Sequence, residues 1–209
     1  VLLSGDAQCP AGEAFRVLRS ILLSNTNGAC PKTLLITSAE PAAGKSTVLV
    51  NLAAAMARAG QKVIVVDSDF RRPCLHQVFG LANKVGLSNV ILDPHSAATA
   101  LHHTKVPGMR VLTSGLLPRY PAELLGSAGM QKVVTELANR ADVVLFDSPP
   151  MLAVADTISL AHIVGGVLLV AARGETTGGQ LQTALGQLDK VGAKTLGIIL
   201  NKARLDDED

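Results

Sequence analysis

Aromatic residues are scarce: tryptophan is absent, and one tyrosine and four phenylalanines make up 2% of the 209 residues. The core must therefore be aliphatic, and the flat side chains on which nucleic-acid bases stack are lacking. A formal charge of +2 brings no concentrated basic surface, so no nucleic-acid partner is expected. Cysteine occurs three times, at Cys9, Cys30 and Cys74. The odd count, without metal-like spacing, argues against a disulfide framework and for reduced cytosolic thiols. Asp93, His95, His102 and His103 match no familiar metal-ligand spacing. No apolar run approaches the ~20 residues that span a bilayer, and the first residues do not have the pattern of a signal peptide. The chain reads as soluble and cytosolic. It does not begin with methionine, which is expected of a fragment or a processed chain.

Apolar residues are plentiful, at 48%, and their arrangement centres on residues 34–50. Leu34-Leu35-Ile36 reads as a buried strand, followed by a loop of small residues closing on Gly44-Lys45-Ser46-Thr47. Leu49, Leu52, Ala53 and Met56 then recur at helical spacing up to Gly60. Strand, small-residue loop, Gly-Lys-Ser and helix form the layout of a phosphate-binding P-loop. Loop N–H groups and the helix N-terminus point at phosphates. Lys45 is a compact charge able to reach β and γ oxygens, and the Ser46 hydroxyl is placed for Mg²⁺. The full pattern has a glycine where this chain has Ala39.

Two further strand ends carry acid. Val63 to Val66 fits a strand buried on both faces and runs into Asp67-Ser68-Asp69-Phe70-Arg71-Arg72-Pro73. Two carboxylates at i and i+2 share a side if the chain stays extended, and a cation such as Mg²⁺ offsets their repulsion. The strand 142–146 ends in Asp147-Ser148-Pro149-Pro150, the Walker B layout in which the carboxylate holds Mg²⁺. Helices are expected from residue 11 to a break over 25–31, over 74–79, 86–92, 97–103, 122–125, 130–139, 153–162 and 177–191. Further strands are expected over 109–113, 166–172 and 194–200, the last running into Asn201, whose loop is placed beside the base of a nucleotide. Glu13, Arg16 and Arg19 share a polar helix face. The end, Asp206-Asp207-Glu208-Asp209, reads as a disordered acidic tail. Alternating strands and helices predict an α/β fold: a mostly parallel sheet flanked by helices on both faces, P-loop NTPase-like, with all acidic positions at carboxyl ends of strands. The residues themselves point to a Mg²⁺-dependent nucleoside triphosphatase or phosphotransferase, without choosing between them.

The constellation resembles the bacterial tyrosine kinase family. Residues 38–47 look like its Walker A motif, 65–73 like its second acidic motif (Walker A′), and 147–150 like its Walker B. Glu13-Ala14-Phe15-Arg16-Val17-Leu18-Arg19 matches its E-x-x-R-x-x-R oligomerisation motif. The resemblance implies a protein-tyrosine kinase using ATP and Mg²⁺, with autophosphorylation. It implies a ring-like homo-oligomer through Glu13, Arg16 and Arg19, and a tyrosine-bearing protein substrate. It also implies a transmembrane activator or fused membrane segment that places the chain at the inner face of the cell membrane, in capsular or extracellular polysaccharide biosynthesis and export. Carried over by position, Pro41, Ala42, Ala43, Gly44, Lys45, Ser46, Thr47 and Asn201 take the nucleotide, Ser46, Asp67, Asp69 and Asp147 take the metal, and Lys45, Asp67 and Asp69 are catalytic. Residues 1–30 become an oligomerisation arm and 31–209 the kinase domain. The family's tyrosine-rich tail has no counterpart before Asp209, and the one tyrosine, Tyr120, stands between Pro118 and Pro121 and reads as a packing residue. Two other readings stay open. One is a partition or division-site ATPase switch, whose signature lysine is replaced here by Glu40; the other is a nucleotide-binding regulator without kinase activity.

Overall fold

The computed structural model describes residues 10–25 and 30–203. Residues 1–9 with Cys9, most of the break at 25–31 and the acidic tail lie outside the described residues. Among the described residues, seven strands form one sheet. They are β1 (Thr33–Ser38), β2 (Val63–Asp67), β3 (His102–His103), β4 (Met109–Leu112), β5 (Val143–Asp147), β6 (Gly166–Ala172) and β7 (Thr195–Asn201). Their order is β3-β4-β2-β5-β1-β6-β7, and every neighbouring pair is parallel except β3 with β4.

The apolar runs of β1, β2, β5 and β6 are buried at every residue because both faces are covered. Alternation along each strand sorts the side chains into two layers. Leu34, Ile36, Val65 and Leu145 pack with α1 (Pro10–Asn25), α2 (Lys45–Arg58) and α3 (Leu75–Phe79). Leu35, Val66, Phe146 and Leu169 face α4 (Leu87–Leu92), α5 (Ala97–Ala100), α6 (Pro121–Leu125), α7 (Ala128–Arg140), α8 (Asp156–Ala161) and α9 (Gly178–Lys190). Local signals set the helix ends. The Ser127 hydroxyl accepts from the Met130 N–H at the start of α7, Thr177 and Gln180 form a capping box at α9, and Gly60, at φ 91°, closes α2. No described helix is long and apolar enough to cross a membrane.

Two expectations change. Residues 97–103 are helical only through Ala100; His102 and His103 then pair antiparallel with Val111 and Arg110 of β4. Pairing with the sheet edge satisfies backbone groups that a one-turn helix leaves open. Of the helix expected over 153–162, only Asp156–Ala161 is formed, because residues 151–155 are held as a loop against the P-loop by Met151 N–H to Ser38 O (2.8 Å) and Leu152 N–H to Ala39 O (3.2 Å).

Sheet order explains where the ligand crevice lies. From β1 the chain passes over β5 to β2, and later returns to the other side of β1 through β6. The carboxyl end of β1 is therefore a topological switch point, where loops diverge and leave a crevice.

Candidate active site

The loop between β1 and α2 fills that crevice. Ala42 (φ 62°) and Gly44 (φ 89°) both adopt left-handed backbone, which turns successive N–H groups toward one point and makes an anion nest. A side chain at Gly44 would strain the left-handed backbone and displace Asn201, whose amide nitrogen would lie 2.1 Å from its Cβ. Asn201, at the end of β7, donates instead to the Ala43 carbonyl at 2.8 Å and so braces the loop from the sheet.

A cavity of about 440 Å³ opens above the loop. Pro41, Ala42, Gly44, Lys45, Ser46 and Thr47 line it from the P-loop side, Asp69, Arg71 and Arg72 from the β2–α3 loop, and Pro149, Pro150, Ala153 and Val154 from the β5–α8 loop. Lys45 is buried to 9% exposure. The Ser46 hydroxyl donates to Asp147 Oδ2 at 2.5 Å, joining the P-loop to the end of β5.

The three carboxylates are held differently. Asp67 ends β2 and is wholly buried; its Oδ2 accepts from the N–H groups of Cys74 (3.0 Å) and Leu75 (2.9 Å) at the start of α3. Asp69 lies past the end of the strand, lines the cavity, and accepts on Oδ1 from Arg71 N–H (3.1 Å) and Arg72 N–H (2.9 Å). Asp147 is buried beneath the P-loop, with the Ser68 hydroxyl donating to its main-chain carbonyl. Burial first, and the charge of Asp147 second, push the Asp67 carboxyl from 3.8 up to about 7. Burial likewise lifts Asp147 to about 6, against the Ser46 hydrogen bond and the Lys45 charge, which favour its ionised form.

These residues suit a hard divalent cation. Asp67 Oδ1 and Asp147 Oδ1 are buried without a hydrogen-bond partner, and such oxygens are completed by a metal ion or its water. Among the described residues no group of three or more His, Cys, Asp or Glu encloses a metal position; Mg²⁺ typically uses one or two carboxylates, with waters and substrate phosphates as its other ligands. A pH dependence follows. Raised carboxyl pKa values mean that the metal-free native state holds protons which the unfolded chain has released, so its stability falls as pH rises from 3.8 to about 7. Metal binding needs the ionised forms. Mg²⁺ affinity is expected to rise about tenfold between about pH 6 and about pH 8, read by calorimetric titration; equal affinity at both would contradict the assignment of Asp67 and Asp147.

Other expected residues fall elsewhere. Glu13 and Arg16 pair at 2.5 Å on α1, Arg19 also donates to the Ala55 carbonyl of α2 at 3.3 Å, and all three line one open concavity on α1. Tyr120 is not a packing residue: it is 57% exposed, with the Arg119 guanidinium 5.4 Å from its ring centre. Arg71, Arg72 and Asp156 were not among the expected site residues. The Arg71 guanidinium grips the buried Asp156 carboxylate with two contacts of 3.0 Å. The two residues stand 85 apart in sequence, and only the position of Arg71 beside the acidic motif could have drawn attention to it.

Residues 32–190 match the AAA domain family. The chain is 38% identical over 195 residues to the putative tyrosine-protein kinase CapB of Staphylococcus aureus, covering 93% of this chain and 85% of that protein. The kinase domain of Escherichia coli tyrosine kinase ETK superposes with a TM-score of 0.90 at 32% identity, covering 97% of this chain and 81% of the other. The septum site-determining protein MinD of Pyrococcus horikoshii, solved with Mg-ADP, has a TM-score of 0.69 at 24% identity over 81% of this chain and 69% of the other, a likeness of fold alone. With a P-loop, two acidic strand ends and these relatives in agreement over nearly its full length, the chain belongs to the bacterial tyrosine kinase family.

Proposed function

We propose that the chain transfers the γ-phosphoryl group of ATP to tyrosine hydroxyls of a protein substrate, its own copies included, in the synthesis and export of capsular or extracellular polysaccharide. The observation that carries this reading is the convergence of Lys45, Ser46 and Asp69 on one cavity at the switch point of the sheet, with Asp147 joined to it by the Ser46 hydroxyl.

In this reading the P-loop nest holds the β-phosphate, and Lys45 neutralises charge on the β and γ oxygens. Ser46, Asp67, Asp69 and Asp147 are the residues for Mg²⁺, which when bound supplies further charge neutralisation. Asp69, at the cavity wall, accepts the phenolic proton. The tyrosine oxygen then bonds to the γ-phosphorus, the bond from that phosphorus to the β–γ bridging oxygen breaks, and ADP leaves with the electron pair. Arg71 and Arg72 N–H groups keep the Asp69 carboxylate in place. Asn201 serves the nucleotide through the loop it braces. ADP release in the presence of Mg-ATP is expected to rise with a tyrosine-bearing peptide and to stay at its basal level with the phenylalanine counterpart; equal rates with both would refute the reading.

A ring-like homo-oligomer built through α1, with residues 1–30 as its arm, and a transmembrane activator or fused membrane segment at the inner face of the membrane complete the proposal. The Glu13–Arg16 pair and the exposed Val17 and Ile21 on α1 support a contact there. Reversing the charge of Arg16 and Arg19 together is expected to lower the assembly mass measured by light scattering to that of a single chain, and an unchanged mass would remove the arm from the interface.

A further inference from the structure

Asp156 does not line the cavity, yet it is wholly buried and reserves both carboxylate oxygens for one side chain. Arg71 Nε meets its Oδ2 and Arg71 Nη2 its Oδ1, each at 3.0 Å. A fork-to-fork pair of this kind fixes orientation as well as distance. Each partner sits at the end of a segment that matters to transfer. Arg71 belongs to the turn whose N–H groups hold Asp69. Asp156 opens α8, and its neighbour Thr157 donates to the Pro149 carbonyl at 2.7 Å, tying α8 to the loop that follows Asp147. The pair thus ties the second acidic motif to α8 and, through α8, to the Walker B loop.

We infer that Arg71, locked by Asp156, is a positioning residue that sets the place of Asp69 against the acceptor hydroxyl, with its Nε and Nη2 committed to Asp156 rather than to the nucleotide. The inference rests on the kinase reading above. Arg71 and Arg72 are both exposed, the Arg71 side chain at 47%; what distinguishes Arg71 is the carboxylate that holds its guanidinium. Because Asp156 is buried and does not line the cavity, its loss acts through Arg71 and α8. Misplacing a catalytic group by about an ångström costs on the order of a hundredfold in rate, while a fork already engaged elsewhere contributes little to ATP binding.

The test uses the full chain as Asp156→Asn, Arg71→Met, Arg71→Lys and the double variant Arg71→Met/Asp156→Asn. Phosphate transfer to a tyrosine peptide, the Kd of a fluorescent ADP with Mg²⁺, and Tm are measured on each. Arg71→Met leaves a buried carboxylate unpaired and should lose Tm; the double variant removes that charge and should regain it. The expected result is a kcat about tenfold to a hundredfold down in Asp156→Asn and in the double variant, with nucleotide Kd within about threefold of wild type. Arg71→Lys, keeping charge but not the fork, should fall between. Recovery of kcat together with Tm in the double variant overturns the inference and makes the pair structural. A Kd that weakens as much as kcat falls also overturns it. A wild type that hydrolyses ATP without labelling the peptide refutes the kinase reading instead, and kcat for hydrolysis with Kd then decides the role of the pair.

Discussion

Lys45→Met is expected to lower nucleotide-dependent phosphate transfer by about a hundredfold or more in turnover. The size of the effect follows from the surroundings of the side chain. Lys45 is nearly buried at the cavity wall, where its charge is poorly screened and acts at close range. Methionine keeps much of the length and apolar stem but contributes no charge to the β and γ oxygens. A second effect adds to the first. The Lys45 charge favours the ionised form of Asp147, so its removal raises that carboxyl further and weakens the cation site at neutral pH. Turnover is read with labelled ATP, and fold integrity by Tm. Wild-type turnover in Lys45→Met would remove the P-loop from the account.

Asp69→Asn is the other large effect. The amide keeps an oxygen to accept from Arg71 and Arg72 N–H, so the turn is expected to hold its shape. It cannot take a proton or carry charge, and transfer should fall by about a hundredfold to ten-thousandfold with nucleotide binding retained. Asp67→Asn separates the roles. Asp67 holds the start of α3 from a fully buried position and does not line the cavity. Its asparagine variant should require more Mg²⁺ for the same rate, and the metal-free protein should be more stable near neutral pH, since a desolvated charge is gone. Equal loss in both variants at saturating Mg²⁺ would contradict the division of labour between them.

Asp67, Asp69 and Asp147 stand out in the sequence because they follow the ends of apolar runs, and Lys45 and Ser46 because they close the small-residue loop after one; parallel strands bring such ends to one edge. The sheet itself was legible for the same reason: runs such as Leu34–Ile36 and Val63–Val66 are too short and too uniformly apolar for a surface strand. Contacts between distant segments were not legible. Nothing local at Asp156 announces a partner 85 residues earlier, and the brace from Asn201 to Ala43 spans 158 residues. His102 and His103 read as helix because short polar segments carry no period, and only the neighbouring edge of β4 decides their state. Tyr120 differs from the expectation for a related reason: two prolines beside a tyrosine say nothing of whether a surface covers it.

Phospho-amino-acid analysis after incubation with γ-labelled ATP and Mg²⁺, with a tyrosine-bearing peptide and with Asp69→Asn run in parallel, separates a tyrosine kinase from an ATPase switch. Label recovered as phosphotyrosine on the peptide, and lost in Asp69→Asn, is the predicted result. Free labelled phosphate in every tube, with no phosphotyrosine, would contradict the account and make the cavity that of an ATPase switch.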